Sequence, residues 1–302
     1  MSAVRGVVAA ACFLPLLIAD RRELASEPPA FWRAAAELTL YNAAYEALLN
    51  IAVLHADATR AAFLFEASVI FTPALAAAGG ARVAPTTWAA AAAATAGVAL
   101  LAFDGGASEA MMSQWPPALT SGDGEAILAA LAYSCYVLRL GDLSAAGLSS
   151  ELTQGIKCVF IAVIYLAWAG AEAGSALADG AQGADGLAAA LWPGVGAAGV
   201  GATWAALVYS GAVPGAAADV AQARGQARVS ASEAQLLLAS EPLWTALLGA
   251  AVLNERLKPQ DAAGAALIVT AIAVSSGLLR RVSAAIRRDW RRRQGLIDES
   301  SS

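Results

Sequence analysis

Long apolar stretches alternate with short polar segments along nearly the whole chain. About 20 apolar residues in an α-helix span the roughly 30 Å hydrocarbon core of a bilayer. A soluble helix would instead place its apolar residues at every third or fourth position. The pattern therefore predicts an all-α polytopic membrane protein with nine spans, at residues 3–19, 35–54, 59–79, 84–103, 124–140, 154–171, 194–217, 231–253 and 260–279.

The composition favours the same fold class. The 302 residues are 59% hydrophobic and 14% charged, whereas about 25% of the residues in a soluble domain are charged. The mean hydropathy is +0.59. The predicted spans are rich in alanine and glycine, and such small residues let helices approach closely in lipid, where no hydrophobic force drives helices together.

Motifs of enzymes and metalloproteins are absent from the sequence. Cys12, Cys135 and Cys158 all fall in apolar runs, which argues against a disulfide framework. His55 is the single histidine, so no Cys/His cluster offers a zinc site. Neither a nucleophile elbow nor a phosphate-binding glycine loop is present. We therefore expect no enzymatic activity, no cofactor and no metal.

Basic residues are unevenly distributed among the predicted loops. If the C-terminus is cytoplasmic, the loops on the other side of the membrane carry only Arg60, Arg256 and Lys258. The long connections at 104–123 and 172–190 contain acidic residues but no lysine or arginine. Because lysine and arginine are enriched in cytoplasmic loops, we expect both connections on the non-cytoplasmic side.

The C-terminal tail, residues 280–302, is strongly basic. Its segment Arg280–Arg293 contains seven arginines, with Ile286 and Trp290 between them. This composition is typical of a signal that sets the orientation of the protein in the membrane. The alternative is that the tail forms a helix lying on anionic lipid. Nucleic acid is not an expected partner, because the rest of the chain offers no surface for it.

Two segments of the chain resemble each other, at residues 60–80 and 229–250. Aligning Pro73 with Pro242 places each proline late in a span, before a short polar turn and another span rich in alanine and glycine. In the predicted topology the two turns lie on opposite sides of the membrane. Such an inverted repeat is a common construction of transporters.

At these residues the sequence resembles the EamA-type families of the drug/metabolite transporter superfamily. The resemblance is carried by Ala56–Ala77, Ser121–Leu140 and Gln222–Leu257, the last of which contains Gln-x-x-x-Gln and then Glu-Pro-Leu-Trp. The sequence is most similar to the plant, algal and cyanobacterial branch. This resemblance implies a transporter with ten spans in two halves of five, located in a plastid or plasma membrane.

The chain is expected to lack the first of these ten spans. Its opening residues, up to Leu14–Leu17, look like the start of the family's second span. We therefore expect a first half of four spans at residues 1–103, a non-cytoplasmic linker at 104–123, and a second half of five spans at 124–279.

One predicted span contains a polar stripe. Ionisable residues inside a span cost about 2.5–3.5 kcal/mol on insertion scales, so each is a candidate functional residue. Glu46 lies mid-span with Asn42 and Asn50 four residues away on either side and Tyr45 beside it. Residues four apart share one face of a helix. This stripe lines a substrate cavity, or it holds helices together through hydrogen bonds.

Two further carboxylates lie in the repeated segments. Glu241 precedes Pro242, and a proline removes a backbone donor, so we expect a helix break beside a charge. Broken helices build the substrate sites of many transporters, while capping of the kink is the structural alternative. Pro73 marks the corresponding break without a charge. Glu66 is either a substrate residue or a solvated residue near the membrane surface.

Other polar and aromatic residues inside spans have two interpretations. Trp204 and Tyr209 line a cavity or pack between helices, and Pro214 predicts a kink or an early end of their span. Lys157 lies near the end of its span, where we expect its side chain to snorkel toward the membrane surface.

Together these features predict a secondary transporter that works by alternating access. No ATP-binding motif is present, so we expect transport to be coupled to a proton or counter-substrate gradient or not to be coupled at all. A carboxylate such as Glu46 or Glu241 is the candidate proton carrier. The alternative is a non-transporting scaffold or a truncated, inactive transporter fragment. The expected partners are the lipid bilayer, an unidentified small-molecule substrate and protons. Whether the chain forms a homodimer is left open.

The predicted orientation can be tested with fused reporters. Because the positive-inside rule places the basic tail in the cytoplasm, alkaline phosphatase fused after Ser302 should be inactive in a bacterial host. The same enzyme inserted in the 104–123 connection should be active. Activity of both fusions, or of neither, would contradict this topology. A fluorescent protein at each position, which fluoresces only in the cytoplasm, serves as the reciprocal control.

Overall fold

The computed structural model describes residues 2–102, 120–146, 149–178, 200–253 and 258–276. Within these ranges the regular secondary structure is entirely helical. The first six helices are α1 (Ser2–Ala19), α2 (Arg21–Ser26), α3 (Pro29–His55), α4 (Ala58–Phe65), α5 (Ser68–Ala78) and α6 (Pro85–Ala102). The helices of the later ranges are α7 (Ser121–Ala145), α8 (Ser150–Ala178), α9 (Val200–Ser210), α10 (Ala218–Gln226), α11 (Ala231–Leu238), α12 (Glu241–Leu253) and α13 (Pro259–Ser275), and a π-helical segment, Gly211–Ala217, joins α9 to α10.

Six helical stretches within the described ranges are long and apolar enough to cross a membrane. They are Ser2–Ala19, Ala58–Ala78, Pro85–Ala102, Ser121–Ser144, Glu151–Ala178 and Ala231–Val252. α13 is also apolar but shorter, with 17 residues. The predicted span at 35–54 is helical within α3, whose polar stripe lowers its hydropathy. The all-helical expectation is therefore confirmed for the described residues, and the count of nine spans stays a prediction.

Some predicted features lie outside the described residues. These are the basic tail at 280–302, most of the connections at 104–123 and 172–190, the start of the span predicted at 194–217, and the turn that contains Arg256.

Large apolar side chains point outward from several helices. Trp244, Leu248 and Val252 follow each other at four-residue intervals on α12, and all three are exposed. Val163 and Leu166 are exposed on α8. Soluble monomers rarely expose large contiguous apolar patches, whereas a membrane span is apolar around its whole circumference. The outward-facing surface of these helices therefore suits contact with lipid.

The chain divides into two compact units. Unit 1 comprises Met1–Ala47 and Cys135–Ser230, and unit 2 comprises Leu48–Ser134 and Ala231–Ser302. Each unit thus draws on segments of both predicted halves. The halves follow from the sequence repeat and not from packing, so they remain a prediction.

In unit 1, α1 packs along α8. Phe13 and Leu17 lie one turn apart on α1 and share a core cluster with Leu152 and Ile156 of α8. Gly155 lies directly beneath them, because a Cβ atom at this position would be only 3.1 Å from Leu17 Cδ2. A small residue on one helix therefore accommodates two large residues on the other, as is common where helices pack in lipid.

In unit 2, α6 packs against α13 at backbone contact. A Cβ atom at Gly97 would lie 2.7 Å from the carbonyl oxygen of Gly264 and 2.8 Å from Ile268 Cγ1. On the preceding turns of α6, the small residues Ala90, Ala91 and Ala94 are also buried. Two facing glycines are thus required for the crossing, and any side chain at either position would push the helices apart.

We expect Gly97→Ala to lower stability by about 1–3 kcal/mol, the typical effect of overpacking a close contact. Gly170→Ala is the matched control, because Gly170 is also helical but a Cβ atom there has nothing within 4 Å. Alanine at an open helical position is worth up to about 1 kcal/mol of added stability. Thermal unfolding of the purified protein in detergent measures both effects. Equal melting temperatures for the two variants would refute the close crossing.

Candidate functional site

The polar stripe of α3 is a hydrogen-bonded cluster in unit 1. Asn42 is only 4% exposed, and its Nδ2 donates a hydrogen bond to Glu46 Oε1 at 2.8 Å. The second carboxylate oxygen, Glu46 Oε2, accepts a hydrogen bond from the Tyr165 hydroxyl of α8. Tyr45 packs beside this cluster, with its ring centroid 6.3 Å from that of Tyr136. Both oxygens of the Glu46 carboxylate therefore have partners inside the unit.

Lys157 of α8 lies at the centre of the same cluster. The residue is 1% exposed, and its Nζ donates hydrogen bonds to Asn42 Oδ1 at 3.2 Å, Tyr136 OH at 3.2 Å and Asp219 Oδ2 at 2.6 Å. An ammonium group has three donors, and here each has an acceptor. Gln154 Nε2 donates a further hydrogen bond to Tyr136 OH at 3.2 Å.

The expectation that Lys157 snorkels to the membrane surface is wrong. The residue lies seven positions after the start of α8, about 10 Å along the helix axis. A four-carbon side chain does not cover that distance to reach the helix end. Snorkelling is also unnecessary, because the carboxylate of Asp219 compensates the charge inside the unit.

Asp219 was not among the residues that the sequence singled out. The span predicted at 194–217 ends two residues before it, whereas the helix continues through the π-helical segment and α10 to Gln226. Extending the predicted helix by one turn would have made Asp219 an ionisable residue inside a span, and hence a candidate. The sequence could also have identified Tyr165, because Lys157, Ile161 and Tyr165 recur every four residues and therefore share one face of α8.

A cavity of about 150 Å³ lies inside unit 1 beside these groups. Its polar lining comprises Asn42, Tyr45, Glu46, Lys157, Tyr165 and Asp219, with Ser2, Arg5, Cys158 and Ser210. The Cys158 thiol lies 3.5 Å from Asp219 Oδ2. The lining therefore contains two cationic and two anionic side chains in an otherwise apolar unit.

The π-helical segment forms one wall of this cavity. Pro214 lies within it, so the kink predicted at this proline takes the form of a π-bulge, which is a frequent feature of functional sites. Gly211 allows α1 to approach, because a Cβ atom there would be 2.7 Å from the carbonyl oxygen of Arg5. Gly211, Pro214 and Gly215 all line the cavity.

Glu66, Glu241 and Pro242 lie in a different cavity, of about 620 Å³, inside unit 2. Glu66 follows α4 directly, and Glu241 is the first residue of α12. Pro73 lies within α5 and not at the break, which occurs two turns earlier at Glu66 and Ala67. The first broken helix therefore carries a charge at its break, as the second does.

The remaining candidates line neither cavity. Trp204 is 47% exposed and Tyr209 is 63% exposed, and neither belongs to the lining of the unit 1 cavity. Asn50 is exposed near the end of α3, one turn beyond Glu46. Within the described ranges, no group of three or more His, Cys, Asp or Glu side chains is arranged to hold a metal ion.

The apolar helices and the polar cavity between them define a multi-pass integral membrane protein. Residues 120–277 match the sequence profile of the EamA-like transporter family. Because this range is more than half of the chain, the protein belongs to the EamA-like transporter family.

Solved structures share the fold, and 22 of their chains match. One of them, described only as the crystal structure of a protein, is similar with a TM-score of 0.68 and 18% sequence identity over 93% of this chain and 88% of that chain. At this identity the likeness shows the fold alone. No curated protein matches the sequence.

For the ion pair of Lys157 and Asp219, we expect single and double variants to differ in stability. Removing one partner of a buried pair costs about 3–5 kcal/mol, whereas replacing both is often nearly neutral. We expect Asp219→Asn to lower the melting temperature more than Lys157→Met does, because it leaves the more deeply buried charge, Lys157, without its counter-ion. The double variant should recover much of the loss.

Thermal unfolding in detergent measures this series. The exposed pair Arg224–Glu151 is the matched control, and Arg224→Gln should change stability by no more than about 0.5 kcal/mol. Additive losses in the Lys157/Asp219 double variant would show that the two residues do not interact.

Proposed function

We propose that the protein is a secondary transporter, which moves a small charged metabolite by alternating access through the unit 1 cavity. The observation behind this proposal is the ion pair of Lys157 and Asp219, 2.6 Å apart, in the cavity lining. Desolvation of two buried charges commonly exceeds the energy that their attraction returns. Because this ion pair lies in an apolar helical unit despite that cost, we infer that its role is in function and not in stability.

The size of the cavity limits the substrate. A cavity of about 150 Å³ in another protein holds a benzene molecule, so the unit 1 cavity accepts a compact metabolite of comparable size. Lys157 offers an ammonium group to a carboxylate or phosphate of such a molecule. Glu46 and Asp219 offer carboxylates to an amino group or a proton. The substrate is therefore a small molecule with at least one ionised group.

The hydrogen bonds suggest how substrate and proton are coupled. An acidic substrate group that binds Lys157 competes with Asp219 for the same ammonium group, and the displaced carboxylate then favours a proton or a second cationic group. Asn42 joins Lys157 to Glu46 through its two amide ends. Binding at one end of this series of hydrogen bonds thus changes the partners at the other end. This is the differential interaction that a coupled transporter needs.

The proposal extends to the architecture of the whole protein. Residues 120–277 of the family match cover most of the second half predicted at 124–279. This agreement, together with the repeated segments, favours a pattern of two inverted halves. The C-terminus lies in the cytoplasm or stroma.

Transport by purified full-length protein in proteoliposomes tests the proposal. With an imposed pH gradient, we expect uptake of one or more labelled small metabolites from a panel of carboxylates, amino acids and phosphates. Lys157→Met, Asp219→Asn and Glu46→Gln should each lower the rate by about tenfold or more, equivalent to about 1.4 kcal/mol. Arg224→Gln should transport normally.

The double variant Lys157→Met with Asp219→Asn separates function from folding. It should regain stability but not transport. Full transport by this double variant would refute the role of the ion pair, and uptake that ignores every gradient would refute secondary transport.

A further inference from the structure

We infer that Tyr136 and Gln154 position Lys157 for transport, by holding its ammonium group at the cavity wall while Asp219 leaves it. The inference rests on the transport function proposed above. Neither Tyr136 nor Gln154 belongs to the lining of the unit 1 cavity, so both act through Lys157. All four residues lie within unit 1.

Tyr136 and Gln154 are completely buried next to Lys157. Tyr136 of α7 is 1% exposed, and Gln154 of α8 is 0% exposed. Burying a phenol or an amide costs free energy unless the group forms hydrogen bonds. Among the described residues, the side-chain hydrogen bonds of Gln154 are with Tyr136 alone. The burial of this amide is therefore explained by the tyrosine that it holds.

The chemistry of Lys157 determines the role of the Tyr136 hydroxyl. An ammonium group can only donate, so the tyrosine oxygen accepts a hydrogen bond from Lys157 Nζ, at 3.2 Å. Gln154 presents both ends of its amide to the same hydroxyl, with Nε2 at 3.2 Å and Oε1 at 3.5 Å. Because an amide offers an acceptor as well as a donor, it satisfies the hydroxyl in either orientation and fixes it beside the ammonium group.

The ring of Tyr136 is held as well as its hydroxyl. Lys157 Nζ lies 5.2 Å from the ring centroid, within the roughly 6 Å range of a cation–π contact. The Tyr45 ring packs beside it, with the two centroids 6.3 Å apart. Gln154 and Lys157 are three residues apart on α8 and therefore share a face of that helix. Tyr136 thus contacts two residues of α8 without any help from α10, which carries Asp219.

The three acceptors of Lys157 differ in how ligand exchange affects them. Asp219 is the charged acceptor, and in the proposed transport an acidic substrate group displaces it. Asn42 is shared with Glu46, so its contact changes with that carboxylate. Tyr136 is neutral and bonded to a residue outside the cavity lining. Its contact therefore persists when Asp219 leaves, and the ammonium group stays where an acidic group can reach it.

The lysine content of the chain makes a direct test possible. Lys157 and Lys258 are the two lysines in the sequence, and Lys258 is exposed. Full-length protein labelled with ¹³C at the lysine ε-carbon therefore gives two NMR signals in detergent, which Lys157→Met assigns. Relaxation of the Lys157 signal measures how firmly its ammonium end is held on the fast timescale, with Lys258 as the internal reference.

Asp219→Asn imitates the departure of the counter-charge without any substrate. We expect Lys157 to remain as ordered in Asp219→Asn as in the unaltered protein. In the double variant Asp219→Asn with Tyr136→Phe, Lys157 should become as mobile as Lys258. Asp219→Asn with Gln154→Leu should show the same change in smaller measure, which keeps the test decisive if the phenylalanine variant fails to fold. A mobile Lys157 in Asp219→Asn alone, or an ordered one in the folded double variants, would overturn the inference.

Tyr209→Phe is the matched control for the loss of a hydroxyl. Tyr209 is 63% exposed and lies outside the cavity lining. Combined with Asp219→Asn, this variant should leave Lys157 ordered. If it mobilises Lys157 as strongly as Tyr136→Phe does, the effect is not specific to Tyr136 and the inference is wrong.

A kinetic experiment connects the positioning to transport. For a compound of the panel that the unaltered protein takes up, Tyr136→Phe should raise KM about tenfold, because a hydrogen bond to a charged group is lost, with little change in the maximal rate. Gln154→Leu should add nothing to the KM of Tyr136→Phe, because Gln154 acts only through the tyrosine. A lower maximal rate at unchanged KM, which is the result of a purely structural role, would contradict the positioning of Lys157.

The NMR comparison needs no substrate, so it tests the positioning separately from transport. Lack of uptake by the unaltered protein would contradict the transport function. Uptake together with either of the opposing NMR results would contradict only the role of Tyr136 and Gln154.

Discussion

Inside an apolar helical unit, a charged side chain needs a counter-charge within the unit, because an apolar interior solvates a charge poorly. The ion pair of Lys157 and Asp219 satisfies this constraint, and the rest of the unit 1 site depends on it. Asp219 holds the ammonium group in place, and the ammonium group in turn orients Asn42 and the Tyr136 hydroxyl. Glu46 then receives its hydrogen bond from an amide that already points in the required direction.

Close helix packing makes this arrangement possible. In unit 1, Gly211 allows the backbone of α1 to approach the π-helical segment that leads to Asp219. In unit 2, Gly97 and Gly264 bring two helices to backbone contact beside the larger cavity. Van der Waals contact is the main attraction between helices in lipid. Each of these glycines therefore contributes to stability because the absence of a side chain lets the helices come closer. The same contacts fix the walls of the cavities.

Local patterns in the sequence predicted much of the fold and part of the site. Helices occur at the predicted apolar stretches because length and hydropathy act locally, and Asn42 and Glu46 share a face because their spacing matches one helical turn. The pairing of Lys157 with Asp219 was not predictable in this way. These residues are 62 positions apart, and only the packing of α8 against α10 brings them together. Pro73 shows a related limit. A proline predicts a distorted helix, but its position does not predict the turn at which the helix will break.

The chemistry of the two cavities differs in a way that bears on how such a protein works. In unit 1 every charged group at the centre of the cluster has a bonded partner, so a ligand has to exchange with an existing contact, and binding is inherently competitive. In unit 2 neither Glu66 nor Glu241 has a side-chain hydrogen bond or an ion pair among the described residues. The carboxylates of the two cavities therefore differ in position as well as in bonding, since Glu46 and Asp219 lie within helices and have partners, whereas Glu66 and Glu241 lie at helix breaks.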